Sequence, residues 1–273
     1  MTDHVASRGI LKDVLFLSIP LLTTLVGAII VLSGKTAGFT TGIVSGSTDF
    51  LTISVVCALL VTVLFYGLKR HPTQLARLAV AAVTFSGTIS GLLLFKLWFQ
   101  TAGLPPGLFL VTLPLGYVGL RWSLMGYSGS LSQRKTRWLM IGSASMLGSL
   151  IGASFPPLIT VIFLIVLVFV DVIVVETNIL RATVGLENYD EMMTLATLPL
   201  ETSLVGLGDF LSYSMLVATA FQIGGFYTGG AAIVLVLTGA LATLHLVKSR
   251  FKFPGLLVPV TLGLVPIIIG LTN

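Results

Sequence analysis

The chain has 273 residues, of which 55% are hydrophobic and only 9% charged, with a mean hydropathy of +1.06. A soluble domain carries roughly a quarter charged residues, so this composition cannot coat a water-facing globule. The net charge of +5 does not point to nucleic acid either, because the basic residues lie in short loops between apolar runs and form no basic face with interleaved aromatics.

Apolar runs approaching twenty residues recur along the chain, each long enough to cross about 30 Å of hydrocarbon as a helix. They do not alternate apolar with polar, which disfavours a β-barrel. The expected fold class is therefore an all-α membrane protein with nine transmembrane helices. In chain order the spans are predicted at residues 14–32, 50–68, 78–95, 105–120, 138–155 and 157–175, then 203–221, 229–247 and 254–271. The first is too long for a signal-peptide core and lacks a small-residue cleavage site, so it is expected to stay in place. Gly148 and Gly152 in the fifth span form a G-x-x-x-G pair suited to close helix packing. Pro20, Pro114 and Pro266 are expected to kink their helices.

The distribution of Lys and Arg gives an orientation. Thirteen of the fifteen fall on the N-terminal side of this nine-span arrangement; Lys35 and Lys96 are the exceptions. By the positive-inside rule the N-terminus is cytoplasmic and the C-terminus outside, in a multi-pass protein of the cell membrane embedded in lipid. The single long connection, residues 176–202, is then cytoplasmic. Within it Met192–Leu200 is apolar but too short to span, and reads as a re-entrant or interfacial piece.

Cys57 is the lone cysteine, and His4, His71 and His245 are dispersed, so no metal site and no cofactor are expected. Lys96 reads as a snorkelling end residue, and Gln222 and His245 as helix-packing partners.

Two acids stand out. Asp171 and Asp209 fall inside the sixth and seventh spans, where a carboxylate costs a few kcal/mol at least. The two helices run antiparallel, and both acids sit roughly 6–9 Å inside the cytoplasmic boundary at about 1.5 Å per residue. Two facing carboxylates that share a proton can divide the work of a hydrolase. The ionised member takes a proton from water while the protonated member polarises a peptide carbonyl. The residues alone leave a structural carboxylate pair or an ion site open.

Asp209 ends the tetrapeptide Gly206-Leu207-Gly208-Asp209, whose glycines leave room for a substrate backbone. Gly-x-Gly-Asp at the start of an apolar span resembles the presenilin and signal peptide peptidase family of intramembrane aspartyl proteases. That family has nine spans, one aspartate in the sixth, a second in the Gly-x-Gly-Asp of the seventh, and Pro-Ala-Leu opening the ninth. Here the ninth opens with Pro254-Gly255-Leu256. In two places the chain departs from the family pattern. Val170 stands where the family has a tyrosine before its first aspartate, and Gly255 replaces the alanine.

The resemblance implies an aspartic endopeptidase that cuts single-pass transmembrane helices, with Asp171 and Asp209 catalytic. It implies that Gly206, Leu207, Gly208, Pro254, Gly255 and Leu256 approach the substrate. It also implies substrate pairing with a strand before the seventh span, for which Leu195, Ala196, Thr197 and Leu198 are the candidates. Short loops and the absence of N-x-S/T sequons suggest a compact prokaryotic-type member without obligate partner subunits. Two other readings compete. An ion- or proton-coupled transporter could use the two aspartates, but the internal repeat common in transporters is not visible. A prepilin-peptidase-like enzyme would have fewer spans.

Overall fold

The computed structural model describes residues 66–67, 69–199, 204–249 and 253–272. The expected span at 14–32, and nearly all of that at 50–68, lie outside these residues. The described part comprises α1 (Pro72–Thr101), a 3₁₀ segment (Pro106–Thr112), α2 (Leu113–Tyr127), α3 (Gln133–Ser154) and α4 (Pro157–Thr177). It continues with α5 (Ile179–Val184), α6 (Leu186–Ala196), β1 (Thr197–Pro199), β2 (Leu204–Gly206), α7 (Leu207–Ser249) and α8 (Leu257–Thr272). Four of the helical segments, Pro72–Gln100, Gly107–Tyr127, Pro157–Thr177 and Leu207–Val247, are long and apolar enough to cross a membrane, and α8 is a shorter apolar helix.

Prolines set several boundaries. Pro72 and Pro157 stand in the first turn of α1 and α4, where the missing N–H costs nothing. Phe155 and Pro156, each followed by a proline, are extended and separate α3 from α4. Pro114 corrects the expectation of a kink: it lies in the first turn of α2 and starts that helix. Pro266 does lie inside α8.

α7 has 43 residues, about 65 Å if straight, twice a hydrocarbon crossing. It is a helical hairpin. Gly225 has φ 61° and ψ −145°, a conformation open to glycine and almost closed to other residues. The arms fold back on each other: Phe221 lies against Gly229, and Phe210 clusters with Ala240 and Leu244 near the two open ends. The arms correspond to the spans expected at 203–221 and 229–247.

α3 is the least apolar of the long helices because it faces protein. A Cβ on Gly148 would lie 2.3 Å from the Leu211 carbonyl, and one on Gly152 would lie 2.2 Å from that of Met215. The G-x-x-x-G pair thus lets α3 and α7 meet backbone to backbone. Thr219 donates to the Gly152 carbonyl across the same seam at 3.2 Å, and Gln222 to that of Ala153 at 3.4 Å. α8 wedges between the arms of α7, with Gly263 against Val236 and Leu216. By contrast α4 leaves most of its apolar surface outward, including Ile162, Phe169 and Ile173. One stripe, with Val161, Leu164, Leu167 and Val168, packs inward.

The strand expected at residues 195–198 forms only in part. Residues 192–196 complete helix α6, and the strand is confined to Thr197–Pro199. The reason is packing: Met192, Met193 and Leu195 present one helical face to Ala76 and Val184. Thr194 and Thr197 also bond back to the carbonyls of Asp190 and Met193 at 2.8 and 2.5 Å. β1 pairs antiparallel with β2, Thr197 opposite Gly206, Leu198 opposite Val205 and Pro199 opposite Leu204.

Candidate active site

Asp209 stands three residues after Gly206, the last residue before α7, and its Oδ2 accepts the Gly206 N–H at 2.9 Å. This is the geometry of a capping box, in which an acid in the first turn reaches back to satisfy an orphan donor at the helix start. Asp171 lies near the end of α4 and does the same for a different helix. Its Oδ2 accepts the N–H of Leu256, the residue that precedes α8, at 2.9 Å. Both acids therefore hold the N–H at the entrance of a helix, where a negative charge is also favoured by the helix dipole.

The stretch before α8 brings the two acids to one place. A Cβ on Gly255 would lie 3.2 and 3.3 Å from the two carboxylate oxygens of Asp209, while the next N–H is bonded to Asp171. Asp171, Asp209, Gly206, Gly255 and Thr197 line a single cavity of about 270 Å³. Its remaining wall is formed by Val175, Met193, Val205, Tyr213, Ala240, Thr243, Leu244, Val247 and Phe253.

The other candidates fall nearby with different surroundings. Pro254 and Leu256 are buried, Leu256 in the main core with Leu216 and Val260. Leu207 packs beside Phe210 and Val205. Gly208 is exposed, and a Cβ there would meet nothing within 4 Å. Leu195 faces α1 and belongs to the cluster under α6. Ala196 ends α6 and Leu198 is the middle residue of β1. The Thr197 N–H is already committed, since it caps α6 by donating to the Met193 carbonyl.

Sequence reasoning did not single out Tyr213. It is 4% exposed, and its hydroxyl donates to the Gly255 carbonyl at 3.2 Å. Its spacing of four from Asp209 places both on one helix face, which is a readable signal. The wall made by Ala240, Thr243, Leu244 and Val247 has the same spacing, but it is hidden in a helix that is apolar all round. Among the described residues, no three of His, Cys, Asp and Glu are grouped so that they could hold a metal ion.

Neither a family model nor a curated protein matches this chain. Among solved structures, a presenilin-family intramembrane aspartate protease is similar with a TM-score of 0.50 and 17% sequence identity. The match covers 94% of this chain and 98% of that one. The chain thus has a presenilin-like, all-α fold, and its four long apolar helices make it an integral membrane protein.

Proposed function

We propose that this protein is an intramembrane aspartyl endopeptidase that hydrolyses peptide bonds within transmembrane helices, with Asp171 and Asp209 as its catalytic pair. The observation that carries the reading is the meeting of two carboxylates from α4 and α7 in one cavity of the helix bundle. The shared fold with a presenilin-family protease supports it. One acid takes a proton from water, whose oxygen attacks the scissile carbonyl carbon; the other donates a hydrogen bond to the carbonyl oxygen. Collapse of the adduct breaks the C–N bond, and the nitrogen leaves with a proton from the pair. The two acids titrate as a unit.

An apolar cleft of about 440 Å³ between α4 and α8 is lined by Val168, Val172, Val260 and Leu264 among others; Val172 follows Asp171 in the chain, so on this reading a substrate helix in the bilayer docks there. The substrate must unwind to expose its carbonyl, and unpaired backbone at membrane depth costs several kcal/mol per group. The hairpin of β1 and β2 offers an edge to which the unwound segment adds as a strand, next to Thr197 and Gly206 in the cavity wall.

The topology belongs to the same proposal: nine spans in the cell membrane, cytoplasmic N-terminus, outward C-terminus and no obligate partner subunit. What supports it is that α6, which leads to the acids, packs on the start of α1, where Lys69, Arg70 and Arg77 cluster. The acid-bearing end is thus the basic end, so cuts are expected toward the cytoplasmic end of single-pass substrates. The test is to reconstitute the purified chain in liposomes with single-pass helical peptides and identify products by mass. Peptide fragments that vanish in Asp171→Asn and Asp209→Asn support the reading. Proton or cation flux without cleavage would replace it with transport.

A further inference from the structure

The Gly255 carbonyl and the Leu256 N–H belong to one peptide unit. Its carbonyl accepts the Tyr213 hydroxyl at 3.2 Å, and its N–H donates to Asp171 at 2.9 Å. In a planar trans peptide these two groups point in opposite directions, so Tyr213 and Asp171 grip the same plane from opposite sides. The Cα of Gly255 meanwhile faces the carboxylate of Asp209, which shares a helix with Tyr213. The peptide is therefore a bridge from the helix carrying one acid to the acid on the other helix. Hydrogen bonds joined through a peptide polarise one another, so a donor at the carbonyl strengthens the N–H at the far end.

We propose that Tyr213 is a positioning residue that acts on Asp171 through the Gly255–Leu256 peptide. Its hydroxyl sets the orientation and donor strength of the Leu256 N–H, which holds Asp171 facing Asp209. This assignment rests on the proposed protease reading and adds a residue to it. It also places a hydroxyl in the acid cavity of a chain whose Val170 cannot supply one. A buried tyrosine hydroxyl needs a partner in any case, so the alternative is that Tyr213 merely fastens the loop before α8.

The experiment is Tyr213→Phe, which keeps the ring and removes the donor, assayed in liposomes for kcat, KM and thermal stability. A bond that acts on the acid should lower kcat on the order of ten- to a hundredfold with KM within about twofold. A second variant replaces Leu256 by its α-hydroxy acid, exchanging the amide for an ester. This deletes the N–H and weakens the carbonyl acceptor while leaving every side chain in place. It should reproduce the kcat loss, also when Tyr213→Phe does not fold. Combining the two should add little further loss, because both cut one relay. Unchanged kcat with lowered thermal stability, a change confined to KM, or full additivity of the two would overturn the proposal. If the unaltered protein cleaves nothing, the protease reading fails first, so the two failures are told apart.

Discussion

Gly255 is the position where a small change in volume reads most directly on the acids. A β-carbon there would sit 3.2 and 3.3 Å from the two oxygens of Asp209, a few tenths of an ångström inside comfortable contact. The carboxylate has little freedom to turn away, since the Gly206 N–H holds Oδ2 at 2.9 Å. A single methyl can be absorbed by a slight shift of the loop, so Gly255→Ala should keep its rate within about threefold, costing well under 1 kcal/mol. Gly255→Val carries two more carbons, each about 1.5 Å farther out, into the space where water and the scissile bond must fit. Overpacking of this kind costs about 1–3 kcal/mol. If that cost falls on the reacting complex, the rate drops roughly five- to 150-fold. Gly208→Val is the control, because its side chain would enter open space, and its rate should stay within about threefold. The assay is the initial rate of fragment release from a single-pass helix in liposomes, normalised to folded protein. A Gly255→Val rate equal to the unaltered protein, or a Gly208→Val defect larger than that at 255, would refute the reasoning.

Asp171→Asn and Asp209→Asn should each retain the fold, because the amide oxygen can still accept the N–H of Leu256 or Gly206. Each should lose at least about a hundredfold in cleavage, the usual share of acid–base catalysis; cleavage near the normal rate by either purified variant would end the assignment. Leu198→Pro should open the hairpin and cut turnover more than about tenfold. Thr197's N–H serves α6, that of Gly206 serves Asp209 and Pro199 has none, which leaves the Leu198–Val205 pair to carry the ladder. Unchanged turnover would show that the hairpin is not used. Glu191 accepts from Thr73 at 3.1 Å and pairs with Arg77 at 3.5 Å, tying α6 to α1. Both side chains are about half exposed, so Glu191→Gln should cost no more than about 1 kcal/mol of stability in a thermal melt. A larger loss would mean that this clasp, and not the apolar cluster beneath it, docks α6.

The apolar runs made most helices legible, because crossing hydrocarbon demands length and near-uniform hydrophobicity, and α4 was readable almost to the residue. Where sequence reasoning missed, several signals were local and several competed. Apolar residues flank Pro114 on both sides and suggest a kink, yet the preceding 3₁₀ segment uses Pro105 and Pro106 and leaves α2 to begin beside it. Residues 194–198 have fair strand character taken alone, yet 194–196 belong to α6. The helix reaches that far because Met192 and Leu195 have a partner surface in α1, more than a hundred positions away in sequence. Asp171 and Asp209 were found as acids in apolar runs, a signal that needs no tertiary knowledge. Beyond its spacing from Asp209, Tyr213 is not legible as a site residue from sequence, because only the fold brings the Gly255 carbonyl opposite its hydroxyl.

The two acids also explain how this bundle tolerates charge-bearing groups at all. A helix start leaves N–H groups without internal partners, and lipid tails cannot take them. Here two such starts meet, those of α7 and α8, and each gives the N–H just before the helix to one aspartate. The acids satisfy donors that would otherwise be orphaned, and the donors hold the acids in place, so each defect compensates the other. The Gly-x-Gly-Asp spacing acquires a structural meaning from this. Three residues is the reach of a first-turn acid back to the residue before the helix, and a Cβ on Gly206 would already touch the Asp209 carboxylate at 3.4 Å. In Pro254-Gly255-Leu256 the same logic runs between helices: proline brings no N–H that would need a partner, glycine lets the chain approach Asp209 so closely that a Cβ would lie 3.2–3.3 Å from its carboxylate oxygens, and leucine anchors the turn in the core. On the proposed reading, the two motifs are the starts of two helices turned toward each other, with the space between them left for a peptide bond.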